Sequence, residues 1–193
     1  MSSENLTRDE ARSRASFLST DSYEIRLDLT TDERTFLTET TLHFSSTSAQ
    51  STFIDLIAQD VQEIELNGEL LSDPSSRFDG ARVSLPSLVE GENTLRVLAT
   101  GRYMNTGEGL HRFVDPVDDE VYLYTQFEVS DARRMFACFE QPDLKATYAL
   151  TVAAPAHWRV ISNAPTPEPS PAGEDVATWA FPPTERISTY LVA

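Results

Sequence analysis

Hydrophobic and polar residues alternate along much of this chain. Residues 23–29 place Tyr, Ile, Leu and Leu at every second position, and residues 36–44 repeat the alternation with Phe, Thr, Thr, Leu and Phe. A period of two residues predicts β-strands with one buried face. The polar residues 32–34 lie between the two segments and predict a turn. The two strands are therefore expected to form a hairpin.

Turn residues divide the rest of the chain into further short strands. The dipeptide Asn67-Gly68 predicts a type I′ hairpin turn, because both residues tolerate the positive φ angles of that turn. The proline-rich residues 164–173 predict an exposed loop or hairpin tip. The other β-prone segments are expected to form strands at 78–85, 94–100, 121–128, 147–153, 159–161, 176–181 and 187–192.

A helix is predicted near the N-terminus. Thr7 is suited to cap it, and Glu10 lies three residues later, which is the spacing of a capping box. Residues 8–17 contain neither Gly nor Pro. One short helix followed by many strands predicts an all-β fold, a twisted sheet or sandwich of antiparallel and mixed strands. The length of 193 residues favours one domain, residues 1–193.

The net charge of the chain indicates which classes of partner are not expected. The chain has 31 Asp and Glu against 15 Lys and Arg, a formal net charge of −16. Such a surface repels phosphate and anionic lipid, so neither nucleic acid nor a membrane is expected as a partner. The longest apolar runs fall far short of the roughly 18 residues that a membrane helix requires.

The compartment is predicted from the cysteine content and the first residues. Cys138 is the only cysteine, so no internal disulfide can form, which suits a reducing cytoplasm. A lone thiol among apolar residues is typical of packing rather than nucleophilic catalysis. Residues 1–16 mix acidic and basic side chains and no apolar stretch follows, which is unlike a secretory signal. A cytoplasmic location is therefore expected.

No complete set of catalytic residues is recognisable. His43, His111 and His157 lie far apart and form no H-E-x-x-H zinc motif. The chain also lacks a nucleophile elbow, a phosphate-binding glycine loop and a cysteine pair. The acidic residues 115–120 do not have the spacing of a calcium-binding loop and are interpreted as solvated. We therefore predict no catalytic residue and no metal ligand within this chain.

The most informative segment is residues 121–146. Strand periodicity places four polar or aromatic side chains on one face, namely Tyr122, Tyr124, Gln126 and Glu128. The residues between them are expected to face the core. A row of two rings, an amide and a carboxylate is suited to a ligand with an apolar side chain and a cationic end.

The same segment has a second, purely structural interpretation. In it, Tyr122 and Tyr124 support a cross-strand aromatic cluster, and Glu128 pairs with Arg133 or Arg134 a few residues later. Residue spacing alone does not distinguish ligand binding from this internal packing.

Motifs spread over most of the chain point to a known family. They are Thr125-Gln126-Phe127-Glu128, Asp131, Arg133-Arg134, Phe136, Pro142-Asp143 and Lys145-Ala146, together with residues 105–110, Asn163-Ala164 and residues 188–190. In these residues and their order the chain resembles the gluzincin zinc aminopeptidases of the aminopeptidase N type, and in particular their actinobacterial-type members. Phe127 stands where Cys is often found, but by periodicity it faces the core, so the exposed pair of Gln126 and Glu128 is unaffected.

The resemblance implies that residues 1–193 are a saddle-shaped N-terminal β-domain, without the catalytic zinc domain of the enzyme. It implies that Glu128 binds the free α-amino group of a peptide substrate and that Gln126 lines the pocket for the first side chain. Zn²⁺ would be held by the absent catalytic domain, which would also contact this domain. The fragment alone is expected to be inactive. The β-prone residues 187–193 stop without a polar tail, which is expected of a cut chain.

A stand-alone β-sandwich binding or interaction module is the alternative function. Its recognition surface would be the face that runs from Tyr122 to Glu128. The sequence after residue 193 separates the two hypotheses, because an H-E-x-x-H helix would support the enzyme and a stop codon would support the module.

Overall fold

The computed structural model describes residues 5–193, and within them the fold is all-β with a short N-terminal helix, as predicted. In this part of the chain the α-helices are α1 (Arg8–Phe17) and α2 (Pro74–Arg77). The strands are β1 (Leu18–Asp28), β2 (Thr35–Ser46), β3 (Thr52–Asp55), β4 (Asp60–Leu66), β5 (Glu69–Leu70), β6 (Arg82–Leu85), β7 (Gly91–Arg102), β8 (Gly109–Val114), β9 (Val121–Gln126), β10 (Thr147–Pro155), β11 (Ser170–Gly173) and β12 (Val176–Ala180). Short 3-10 turns lie at Ala132–Arg134 and Thr189–Leu191. Neither α-helix has the length and apolar character needed to cross a bilayer.

Eight strands form one mixed sheet in the order β11-β12-β10-β1-β2-β7-β4-β5. β1 and β10 are parallel, whereas the other neighbours in the sheet are antiparallel. Parallel neighbours require a long crossover, and here the crossover contains most of the other strands. It includes two separate two-stranded ribbons, β3–β6 and β8–β9. The β8–β9 ribbon carries the face that the sequence singles out.

The residues between β9 and β10 pack against the buried face of the large sheet. Tyr23 of β1 is fully buried, stacks on its register partner Tyr148 at 4.9 Å, and meets the Phe136 ring edge-on at 6.1 Å. The Phe139 N–H donates to the Tyr23 hydroxyl at 3.2 Å. Phe127 contacts the Phe136 ring at 6.3 Å. These contacts fix the end of β9 relative to the sheet.

α1 begins with the predicted capping box. Thr7 Oγ1 accepts the Glu10 N–H at 3.3 Å, and the Glu10 carboxylate accepts the Thr7 N–H at 2.8 Å. The same carboxylate binds the Arg82 guanidinium at 2.6 Å, and this hydrogen bond lowers the pKa of Glu10 to about 2. The first turn of α1 is therefore tied to β6.

The hairpin between β4 and β5 forms at Asn67-Gly68, as predicted. The two residues have φ angles of 55° and 83°, which are the positive values that a type I′ turn requires. The Asn67 side-chain oxygen accepts the Thr94 N–H at 2.8 Å. The turn is therefore also attached to β7.

Two of the predicted strands are wrong. Residues 159–161 belong to no β-ladder in the described chain, and Ile161 is 70% exposed. Residues 187–192 contain one β-bridge, between Ile187 and Ala146, followed by the 3-10 turn. Thr189 Oγ1 donates to the buried Glu140 carboxylate at 2.6 Å. This buried hydrogen bond favours a turn over a straight strand.

Two other segments differ from the prediction in extent. β6 begins only at Arg82, because Asp79 Oδ1 accepts the N–H groups of Ala81 and Arg82 and forms a turn there. The proline-rich residues 164–173 were expected to be a loop or hairpin tip, but they include β11. β11 lies at the edge of the sheet, where proline is tolerated because one side of the strand needs no partner.

Candidate functional site

The β8–β9 ribbon confirms the predicted division of residues 121–128 between two faces. Tyr122 and Tyr124 are each 49% exposed, whereas Phe127 is only 2% exposed. The register pairs three positions on the exposed face, namely Gly109 with Gln126, His111 with Tyr124, and Phe113 with Tyr122. The strand ends at Gln126, two residues earlier than predicted. The sequence reasoning missed β8, although His111 to Val114 precede a proline-containing acidic turn as a hairpin strand would.

Gln126 and Glu128 are held together at the end of β9. The side-chain oxygen of Gln126 accepts the Glu128 N–H at 3.0 Å. This bond replaces the β-ladder and ends the strand there. The following peptide bond, Glu128–Val129, is cis. The Glu128 side chain is exposed, and within residues 5–193 its carboxylate has no hydrogen-bond or ion-pair partner. The Glu128 carboxylate, which has no counter-charge in the described residues, thus lies beside the Gln126 amide, whose oxygen is held by the Glu128 N–H.

The two arginines that follow are engaged elsewhere. Arg134 Nε donates to Asp131 Oδ1 at 2.7 Å, and its guanidinium lies 3.8 Å from Glu108. Arg133 is buried, and its backbone N–H donates to the Glu140 carboxylate at 2.8 Å. Since Glu128 forms no ion pair with either, the interpretation that Glu128 pairs with Arg133 or Arg134 is wrong. Both arginines brace the segment after β9.

Tyr124 forms an aromatic pair with His111, its register partner on β8. Its ring stacks on the His111 ring with a centroid distance of 4.6 Å and an interplanar angle of 21°. The Gly107 N–H donates to His111 Nδ1 at 3.0 Å. Because Nδ1 accepts a hydrogen bond, it carries no proton in this arrangement. The stack is therefore attached to the loop that precedes β8.

The Tyr122 hydroxyl binds the turn between β8 and β9, at the end of the ribbon away from Gln126. Its hydroxyl donates to Asp118 Oδ2 at 2.9 Å, and this hydrogen bond raises the pKa of Tyr122. Asp115 Oδ1 accepts the Val117 N–H at 2.9 Å, and Asp118 Oδ1 accepts the Glu120 N–H at 2.9 Å. The carboxylates of this acidic turn thus stabilise its own backbone.

The residues that the structure describes do not form a zinc site. Among residues 5–193, no three His, Cys, Asp or Glu side chains converge closely enough to hold a metal ion.

An apolar groove of about 610 Å³ lies along the β8–β9 ribbon, and Tyr122 and Tyr124 are among the residues that line it. Its walls include Leu123 of β9, Leu27 of β1 and Leu150 of β10. Trp158 and the exposed Ile161 line its rim. Gln126 and Glu128 are not among the residues that line this groove.

Comparison with known proteins shows the family of this chain. Residues 19–191 match the family described as the peptidase M1 N-terminal domain. The chain belongs to this family. The chain is 57% identical to aminopeptidase N of Streptomyces lividans over 98% of its own length, and it covers 22% of that protein. The resemblance stated from the sequence is confirmed.

More distant relatives match smaller shares of this chain. A probable M1 family aminopeptidase 1 of Encephalitozoon cuniculi is 35% identical over 72% of this chain and 18% of its own length. Aminopeptidase N of Bos taurus is 32% identical over 58% of this chain and 12% of its own length. This M1 N-terminal domain chain thus spans less than a quarter of each of these three relatives.

Gly109, opposite Gln126, should not tolerate a side chain. Its φ is +66°, and a Cβ there would lie 2.8 Å from Arg134 Cβ. We expect Gly109→Ala to lower the free energy of unfolding by about 2–4 kcal/mol, since backbone strain and overpacking add. Gly68→Ala is the matched control, with φ +83° and nothing within 4 Å, and should cost about 1 kcal/mol. Urea denaturation of both variants measures their free energies of unfolding. An equal decrease in the two variants would show that the Arg134 side chain moves aside at no cost in stability, and would contradict the prediction.

Proposed function

We propose that residues 1–193 form the substrate-orienting N-terminal domain of a zinc-dependent aminopeptidase that removes N-terminal amino acids from peptides. Glu128 binds the free α-amino group of the substrate, and Gln126 lines the space for the first side chain. The observation that carries this proposal is the exposed, unpaired Glu128 carboxylate beside Gln126, in a chain that belongs to the peptidase M1 N-terminal domain family.

The chemistry of the pair supports this role. A carboxylate and an ammonium form a charge-assisted hydrogen bond, which is shorter and stronger than a neutral one. The bond from the Glu128 N–H to the Gln126 oxygen holds the two residues in one arrangement before substrate arrives. Preorganised groups lose less entropy on binding. A peptide without a free amino terminus lacks the cation that this carboxylate requires.

The rest of the enzyme is proposed to supply the zinc and to contact this domain. The chain covers 22% of its Streptomyces lividans relative, so most of such a protein lies outside these residues. The apolar groove beside Trp158 and Ile161 supports an intramolecular contact with the catalytic domain, because exposed apolar surface of this kind favours burial. The buried, unpaired Cys138 supports a cytoplasmic location. Nucleic acid and membranes are not proposed as partners.

The proposal is tested by comparing the full-length protein with residues 1–193. Leucine p-nitroanilide and its N-acetyl derivative serve as substrates. We expect the full-length protein to hydrolyse the free-amine substrate about 100-fold faster or more, because a site built for a polar group rejects an analogue that lacks it. Residues 1–193 should show no hydrolysis and no bound zinc after dialysis. Equal rates on both substrates, or hydrolysis by residues 1–193 alone, would refute the proposal.

A further inference from the structure

We infer that Tyr124, stacked on His111, determines specificity by packing against the first side chain of the substrate, and that it favours large apolar and aromatic residues at that position. This inference rests on the proposed function of Glu128 and Gln126. It adds a residue and a substrate class that the proposed function leaves open.

The position of Tyr124 follows from the geometry of β9. Tyr124 and Gln126 are two residues apart on the same exposed face, so their Cα atoms are about 7 Å apart along the strand. Along the chain, Gln126 lies between Tyr124 and Glu128, and the Glu128 N–H is bound to the Gln126 side chain. A substrate whose amino group reaches Glu128 and whose first side chain passes Gln126 is therefore directed towards the Tyr124 ring. A large side chain extends to the ring, whereas the methyl group of alanine does not.

The cross-strand partner of Gln126 is a glycine. Gly109 pairs directly with Gln126, and a side chain at such a position would normally lie about 5 Å away on the same face. Residue 109 therefore adds no side chain of its own beside Gln126, and Arg134 and Met104 pack against its Cα instead. The close approach of Arg134 to Gly109 keeps this position without a side chain.

The aromatic pair is held in place before any ligand binds. His111 stacks on Tyr124 and is itself attached to the Gly107 N–H. The Tyr124 hydroxyl lies near Gly107, where an added Cβ would be 3.9 Å from it. A ring that is already fixed offers apolar contact area at little entropic cost. Half of the Tyr124 side chain is nevertheless exposed, and that part is available for contact.

Tyr122 provides a matched control on the same strand. It is the same residue type, lies on the same face and has the same exposed fraction of 49%. It is two residues farther from Gln126, and its hydroxyl is bound to Asp118 in the turn. An effect that came only from loss of exposed aromatic surface would be equal at both positions.

The experiment measures substrate selectivity in the full-length enzyme. Tyr124→Ala, Tyr124→Phe and Tyr122→Ala are assayed with the p-nitroanilides of phenylalanine, leucine and alanine. We expect Tyr124→Ala to reduce the ratio of kcat/KM for phenylalanine over alanine by about tenfold, with a similar loss for leucine. Tyr124→Phe keeps the ring and should retain the ratio within about twofold, as should Tyr122→Ala. A ratio is unaffected by the fraction of enzyme that folds.

The outcomes separate this inference from the function on which it rests. An unchanged ratio in Tyr124→Ala, or an equal decrease in Tyr122→Ala, would overturn the role of Tyr124. Glu128→Gln is assayed in parallel with all three substrates. If Glu128→Gln loses activity while the Tyr124→Ala ratio is unchanged, only the present inference fails. If Glu128→Gln keeps wild-type kcat/KM on every substrate, the proposed function fails as well.

Discussion

Replacing Glu128 by alanine in the full-length enzyme is expected to lower kcat/KM for substrates with a free amino terminus by about 100-fold or more. The reason is the loss of a charge-assisted contact to the substrate ammonium, since truncating one partner of a desolvated charge pair costs about 2–5 kcal/mol. Glu128→Gln should lose nearly as much activity, because it keeps the shape of the side chain and removes the charge. Steady-state kinetics on leucine p-nitroanilide measure both effects.

The loss should be one of substrate recognition and not of stability. In the described residues the Glu128 side chain makes no hydrogen bond or ion pair, so its removal breaks no internal contact. The melting temperature of the variant should therefore remain close to that of the wild type. Glu120→Ala removes an equal charge from an exposed position in the turn of the same ribbon and should leave kcat/KM within about twofold. Wild-type kcat/KM in Glu128→Ala would contradict the assigned role.

Asp55→Ala is expected to give the largest loss of stability, about 3–5 kcal/mol in the 193-residue chain. Asp55 is fully buried and pairs with the buried Arg14 guanidinium at 2.9 Å. The same oxygen, Asp55 Oδ2, accepts the Glu140 N–H at 3.1 Å, and Arg82 Nε lies 3.8 Å from Asp55 Oδ1. Removing the carboxylate leaves two buried cations without their shared partner. The midpoint of urea denaturation measures the change in the free energy of unfolding.

A surface ion pair supplies the comparison for Asp55. Glu39 accepts from Arg96 at 2.6 Å, but both side chains are more than a quarter exposed. Glu39→Ala should cost about 1 kcal/mol or less, since water solvates the remaining charge. The double variant Arg14→Met with Asp55→Leu should lose less free energy of unfolding than Asp55→Ala alone, because it leaves one fewer buried charge without a partner. A loss of less than about 1 kcal/mol in Asp55→Ala would contradict the importance of the buried pair.

The same buried network explains the role of the single cysteine. Cys138 and Asp55 exchange two backbone hydrogen bonds, at 2.9 and 3.0 Å. Burial raises the pKa of the Cys138 thiol well above its usual value, and the nearby Glu140 carboxylate acts in the same direction. A protonated, inaccessible thiol is a poor nucleophile. The interpretation of Cys138 as a packing residue is therefore confirmed.

Local patterns in the sequence determined several features of this protein. Strand periodicity assigned Tyr124 and Gln126 to the exposed face and Phe127 to the core, because side chains alternate between the faces of any strand. The capping box at Thr7 and the turn at Asn67-Gly68 were predicted because each depends on residues within a few positions of one another. The resemblance to the family rests on short motifs that are spread over most of the chain.

Only the tertiary structure decided which segments meet. Arg14 and Asp55 are 41 residues apart, and nothing in their local sequence indicates that they pair. Gly109 faces Gln126, and His111 stacks on Tyr124, because of a strand register that periodicity does not specify. Residues 187–192 satisfy the pattern of a strand, yet a hydrogen bond from Thr189 to the buried Glu140 accompanies a turn there. Local pattern thus set the faces of the strands, while pairing and burial over long sequence distances decided which side chains could form a site.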